Sequence, residues 1–135
     1  MRYLLDTNIV SDLVRNPQGK VATHVRTVGE KNVCTSIVVA AELRYGGAKK
    51  GSPRLSSQSD AVLGVLEVLP LEAPAGTTYG LLRTRLERAG TPIGANDLLI
   101  AAQALTLGYV IVTDNEREFS RVKGLRLQNW LRSAE

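Results

Sequence analysis

The chain has 135 residues with 17 basic and 13 acidic side chains, a formal charge of +4, one histidine and one cysteine. That is the size of one domain, residues 1–135, able to bury roughly 68% of the surface its unfolded form exposes without staples. A lone Cys34 excludes an internal disulfide framework or a thiolate zinc cluster, and the absence of a long apolar run or signal-peptide pattern predicts a soluble, cytoplasmic protein with no membrane partner.

The first element is a hydrophobic run ending in an acid, Arg2-Tyr-Leu-Leu-Asp6, read as a buried parallel strand that delivers a carboxylate at its C-terminal end. Thr7 and Asn8 offer a cap, and Ile9, Val10, Leu13 and Val14 have helical spacing before Asn16-Pro-Gln-Gly19 breaks it. A helix from about Val21 to Val28 follows, then a strand over Asn32 to Thr35. Ser36 is a candidate cap for a helix running to about Lys49, almost wholly apolar from Ile37 to Leu43 except at Glu42. An acid in such a helix calls for a partner or a metal, since buried carboxylates are rarely left alone.

Gly46 to Pro53 reads as the clearest loop. It is not a phosphate-binding loop, because Ser52 rather than Lys follows Gly51 and a helix rather than a strand precedes it. A helix from about Arg54 to Leu66 and a short strand near Val68–Leu71 come next. Pro74 suits the first turn of another helix, with Tyr79, Leu82, Leu86 and Ala89 on one face, Arg83, Arg85 and Arg88 on a solvated one, and Gly90 as the stop. The loop Thr91 to Asp97 feeds a helix from Leu98 to Leu107 that is apolar on nearly every side and so must be central. Asp97 sits at its N-terminus, where the helix dipole favours the ionised form. Tyr109-Val-Ile-Val-Thr113 is a second buried strand ending beside an acid, Asp114. A polar helical turn over Glu116 to Phe119 and a strand within Gly124 to Trp130 complete the chain.

Asp6, Glu42, Asp97 and Asp114 are thus predicted to meet at one edge of a parallel sheet, where α/β proteins place their ligands. Four carboxylates without a cation would repel one another and hold each other's protons. An all-oxygen set favours Mg²⁺ or Mn²⁺ and keeps waters and a phosphate oxygen on the ion, which points to phosphodiester hydrolysis. Setting four acids aside leaves 17 basic against 9 acidic groups, about +8, on the rest of the surface, which suits a nucleic acid. Each acid alone has a plainer role: Asp97 as a helix cap, Asp6 and Asp114 as turn residues, Glu42 as a paired residue. If all do, the chain is a non-catalytic nucleic-acid-binding module. An aspartyl-phosphate phosphatase would need a second Asp where Asn8 stands, and no nucleophile-elbow sequence accompanies His24. Cys34 and Trp130 read as core, Asp12 and Asp60 as solvated.

The motifs Tyr3-Leu-Leu-Asp-Thr-Asn8, Val39-Ala-Ala-Glu-Leu-Arg-Tyr-Gly46, Pro92 to Ala102 around Asn96-Asp97, and Ile111-Val-Thr-Asp-Asn-Glu-Arg-Glu-Phe119, in this order and at this length, resemble the PIN-domain ribonucleases that are the toxins of VapBC toxin–antitoxin pairs. The resemblance implies a three-layer α/β/α domain with a central, mostly parallel sheet and a Mg²⁺-dependent endoribonuclease. It implies Asp6, Glu42 and Asp97 as the acidic site, Asp6 and Asp97 as the most direct metal ligands, and Thr7 as support for the first carboxylate. The fourth position falls to Asp114, with Asn115, Glu116 or Glu118 as alternatives. Homodimers, a VapB-like antitoxin and RNA are the implied partners. The stretch Glu118 to Leu125 is most similar to toxins that cut the anticodon loop of initiator tRNA.

Overall fold

The computed structural model describes residues 1–132. Five strands, β1 (Tyr3–Leu5), β2 (Val33–Ser36), β3 (Glu67–Leu69), β4 (Val110–Val112) and β5 (Leu127–Gln128), form one sheet in the order β3-β2-β1-β4-β5, with every pairing parallel. Parallel neighbours cannot be joined by hairpins, so helices carry the chain back across the sheet each time. These are α1 (Thr7–Arg15), α2 (Lys20–Val28), α3 (Ile37–Lys50), α4 (Pro53–Val65), α5 (Ala73–Arg88) and α6 (Ala95–Leu107), with a short α7 (Glu116–Phe119) between β4 and β5. This is the expected α/β architecture, with a sheet that is wholly rather than mostly parallel.

The chain builds outward from β1 through β2 to β3, then returns to the other side of β1 with β4 and β5. The reversal opens a crevice beyond the C-terminal ends of β1 and β4, the usual ligand position in such sheets. Beneath it, Leu4, Leu5, Cys34, Ile111 and Val112 are fully buried, and Ile100 and Ala101 of the central α6 pack into the same core. Burial pushes the Cys34 thiol up to about 11, so it is a packed core group, as expected. Trp130 is also core, with its ring stacked on His24.

Three expectations are corrected. The segment from Gly46 is not a loop: α3 continues through Gly46 and Gly47 to Lys50, and only Gly51 and Ser52 separate it from α4. A Cβ on Gly47 would lie 2.7 Å from Ser56 Oγ, so the glycine lets two helices approach closely. Gly51, at φ +61°, makes the left-handed stop. Secondly, α6 begins at Ala95, which places Asp97 inside its first turn and leaves Gly94 as the cap. Thirdly, α3, apolar from Ile37 to Leu43, still turns a side to solvent, since Ile37 and Tyr45 are 42% and 66% exposed; Ala89, read on one helix face with Leu82 and Leu86, is the exposed C-cap of α5 while those two are buried.

Candidate active site at the sheet edge

Asp6 directly follows β1 and is the backbone cap of α1: its carbonyl accepts from Ile9 and Val10 N–H at 3.1 and 3.0 Å. Its carboxylate is not spent on the cap. Oδ2 accepts from the Thr113 hydroxyl at 2.7 Å, while Oδ1 is buried with no hydrogen-bond partner among the described residues. Burial pushes the Asp6 carboxyl above the usual range and the charge of Glu42 adds to this; the Thr113 hydroxyl and the Thr7 amide oppose it. A buried carboxylate oxygen left open is costly, and it is what a cation ligand looks like before the cation arrives.

Glu42, one and a half turns into α3, is half-buried and held at both oxygens, by the Thr7 hydroxyl and by Asn96 Nδ2 at 3.1 Å. The Thr7 hydroxyl therefore serves Glu42 while its backbone N–H favours the Asp6 carboxylate, and the hydroxyl that supports Asp6 is Thr113's. Asp97 accepts from Asn115 Nδ2 at 3.0 Å, and the same amide donates to Glu118 Oε2 at 2.7 Å. The Gly94 N–H, the α6 amide that a first-turn acid would ordinarily cap, is taken by Glu118 Oε1 at 3.2 Å. Asp97 is thus free of capping duty.

The two acids under Asn115 divide their protons unequally. Asp97 is pushed up to about 7, by burial first, then by contact with Glu118 and by the charges of Asp6 and Glu118. Glu118 is drawn below the ordinary range, first by Asn115 and then by Asp97. Burial of Asp97, with the charges of Asp6 and Glu118 added to it, and the Asn115 amide on Glu118 produce this pattern, and a divalent cation would favour the ionised form of Asp97.

Asp114 lies outside this group. It is exposed and accepts from Asn129 Nδ2 at 3.0 Å, alongside Glu116, which also pairs with Arg132 at 2.9 Å. Strand register explains the displacement. Leu5 of β1 pairs with Val112 of β4, so the residue opposite Asp6 is Thr113, and Asp114 is one residue further on. Along a strand, one residue reverses the side chain's direction.

Asp6, Glu42, Asp97 and Glu118 are therefore linked through Thr113, Thr7, Asn96 and Asn115. Thr113 and Asn96 went unnoticed in the sequence. The signal for Thr113 was its place after Val112 in a buried strand, where a hydroxyl needs a partner; Asn96 offered none. The donor set, all oxygen with one buried oxygen open, fits a hard divalent cation. Among the described residues no group of three or more His, Cys, Asp or Glu side chains is placed to hold a metal ion together. One or two carboxylates with retained waters is the ordinary way Mg²⁺ is held.

The sequence model of the PIN domain matches residues 3–125. Among curated proteins, Ribonuclease VapC2 of Rickettsia felis is 38% identical over 132 residues, spanning 96% of this chain and 98% of the relative. The tRNA(fMet)-specific endonuclease VapC of Shigella flexneri is 36% identical over 131 residues, with the same coverage of both. Among solved structures, VapBC2 from Rickettsia felis bound to a DNA fragment from its promoter superposes with a TM-score of 0.89 at 38% identity, covering 96% of this chain and 99% of the other. DNA-bound VapBC from Salmonella typhimurium gives 0.90 at 33% identity, covering 96% and 98%. With likeness of this depth along nearly its whole length, the chain belongs to the PIN domain family, among its VapC members.

Proposed function

We propose that this chain is a metal-dependent endoribonuclease, the toxin of a type II toxin–antitoxin pair, built as one nuclease domain over residues 1–135 and acting in the cytoplasm. The observation that carries the reading is Asp6 Oδ1, a buried carboxylate oxygen with no partner among the described residues, set in the field of further acids. Asp6 and Asp97 would hold Mg²⁺ or Mn²⁺. When bound, such an ion polarises a phosphate oxygen and lowers the pKa of a water.

The chain's own residues prepare that reaction. Thr113 orients Asp6, and Asn115 fixes the spacing of Asp97 and Glu118. Thr7 and Asn96 hold Glu42 at both oxygens, which suits it to orient and to supply charge. The fourth acidic position goes to Glu118, not to Asp114, because Glu118 shares a donor with Asp97. The substrate is RNA, and the name of the Shigella relative, with the likeness over Glu118 to Leu125, makes the anticodon loop of initiator tRNA the first target to try. A VapB-like antitoxin is the expected partner, since the solved relatives are VapBC complexes, and a homodimer is the expected assembly. No described helix is long and apolar enough to cross a membrane.

The test is expression of the chain without its antitoxin, followed by mapping of RNA ends. Growth arrest with new ends in the initiator tRNA anticodon loop is the expected result. Arrested cells with every RNA intact would favour the non-catalytic binding module instead.

The raised Asp97 carboxyl adds a prediction with a definite sign. Between about pH 4 and pH 7 the metal-free folded protein holds a proton at Asp97 that the unfolded chain has released. Stability of the metal-free protein therefore falls as pH rises through that window and levels off above it. A cation must displace the same proton, so Mn²⁺ affinity is expected to rise with pH and level off above about 7, being roughly tenfold weaker one pH unit below. Calorimetry in buffers of different ionisation enthalpy would count close to one proton released per ion at pH 6. Binding that is flat from pH 5 to 8 would remove Asp97 from the ligand set.

A further inference from the structure

Single-stranded RNA is usually gripped by stacking its bases on aromatic rings. This chain has few to offer: four tyrosines, one phenylalanine and one tryptophan. Phe119 and Trp130 are buried, and Tyr3, Tyr79 and Tyr109 pack against the core. Tyr45 is different. It is 66% exposed, and it stands three residues after Glu42 on α3, hence on the same side of the helix.

The ring forms part of an open groove of about 750 Å³. The polar residues along it are Thr7, Glu42 and Asn96, the group that holds one acid of the site described above, and Ile37 and Val38 supply apolar wall. The Lys49 ammonium lies 5.8 Å from the Tyr45 ring centroid, and Lys49 and Lys50 are both exposed at the end of α3. An exposed aromatic face, cations beside it and a catalytic acid one helical turn away match a nucleotide: base on the ring, phosphate toward the lysines.

We propose that Tyr45 is the platform on which a base of the RNA substrate stacks next to the bond to be cut. The proposal rests on the nuclease reading and adds to it a residue that positions substrate. The exposed lysines attract a polyanion, and the Tyr45 ring with the apolar wall of Ile37 and Val38 accepts flat bases, the two features a single RNA strand presents together.

The experiment uses the full chain with a fluorescein-labelled initiator-tRNA anticodon stem–loop. Single-turnover cleavage is followed in Mg²⁺, and binding is followed by anisotropy with Ca²⁺ in place of Mg²⁺. Tyr45→Leu is expected to raise both the half-saturating concentration and the Kd by roughly 5- to 150-fold, the worth of one stacked base, with the saturating rate nearly unchanged. Tyr45→Trp should bind at least as well as the parent protein. One abasic nucleotide in the loop should impose the same loss on the parent protein and no further loss on Tyr45→Leu. Circular dichroism and sedimentation should show both variants folded and in the parent's oligomeric state.

Equal Kd values for Tyr45→Leu and the parent protein would overturn the proposal. So would a Tyr45→Leu protein that becomes monomeric and loses binding only through dissociation, which would make this face a contact between copies. If the parent protein cuts no RNA, the nuclease reading fails, and the anisotropy measurements still report whether a base stacks on Tyr45.

Discussion

Asp6→Asn is expected to lower cation-dependent RNA cleavage by roughly 10²- to 10⁴-fold, the rate equivalent of the several kcal/mol a bound ion contributes. The same change should raise the melting temperature of the metal-free protein. Both effects come from one atom. An asparagine keeps the acceptor for the Thr113 hydroxyl and nearly the same shape, but it removes a buried charge whose Oδ1 has no partner. Because burial without a partner for Oδ1 penalises that charge, its removal should raise Tm by a few degrees. Asp97 supplies an independent reading, because part of its upward shift comes from the charge of Asp6. In Asp6→Asn its titration should move down from about 7 toward the ordinary range. A variant that keeps its activity would exclude Asp6 as a ligand, and a variant that loses stability would mean that the Asp6 charge is satisfied in the fold.

Trp130→Ala should be the most damaging single truncation for stability, costing about 3–5 kcal/mol. The ring is 2% exposed, stacks on His24 at 5.1 Å and 9°, meets Tyr3 at 5.4 Å and 50°, and donates from Nε1 to Gln128 Oε1 at 2.8 Å. Domains of this kind hold about 5–15 kcal/mol in all, so the loss is a large fraction. Urea denaturation would measure it, with Trp130→Phe as the milder control. The damage should also reach the acids. β5 is only two residues long, and the Gln128 carbonyl accepts the Thr113 amide at 3.0 Å. Loosening that edge therefore loosens the hydroxyl that orients Asp6. A Trp130→Ala protein that keeps the parent's urea midpoint would show that the ring closes the chain end without holding it.

The sequence revealed the strands and acids whose signals are local. The apolar runs before Asp6 and Asp114 identified β1 and β4 because buried parallel strands need residues apolar on both faces. The helix over Leu98 to Leu107 was read as central for the same reason, and α6 is. What stayed hidden depends on distant partners. Asp114 was preferred to Glu118 because two strands ended alike, but the pairing of Leu5 with Val112 puts Thr113 opposite Asp6, and no pattern within either strand states that register. Gly46 and Gly47 were read as chain breaks because glycine usually marks them; a helix that needs a glycine to admit Ser56 of its neighbour gives the same letters. Thr7 sits beside Asp6 in sequence, yet its hydroxyl serves Glu42, which lies 35 residues away.

The parallel order of the sheet also sets a schedule. Asp6 leaves the ribosome early, yet the hydroxyl that holds it lies 107 residues downstream, and β1 has no neighbour on that side until β4 has been made. Contacts of such long sequence separation form late and slowly. Asp97 and Glu118 also follow Asp6 at long range in the sequence. A growing chain therefore carries its acids apart until the residues through Glu118 have been made, and any destructive activity must wait for them.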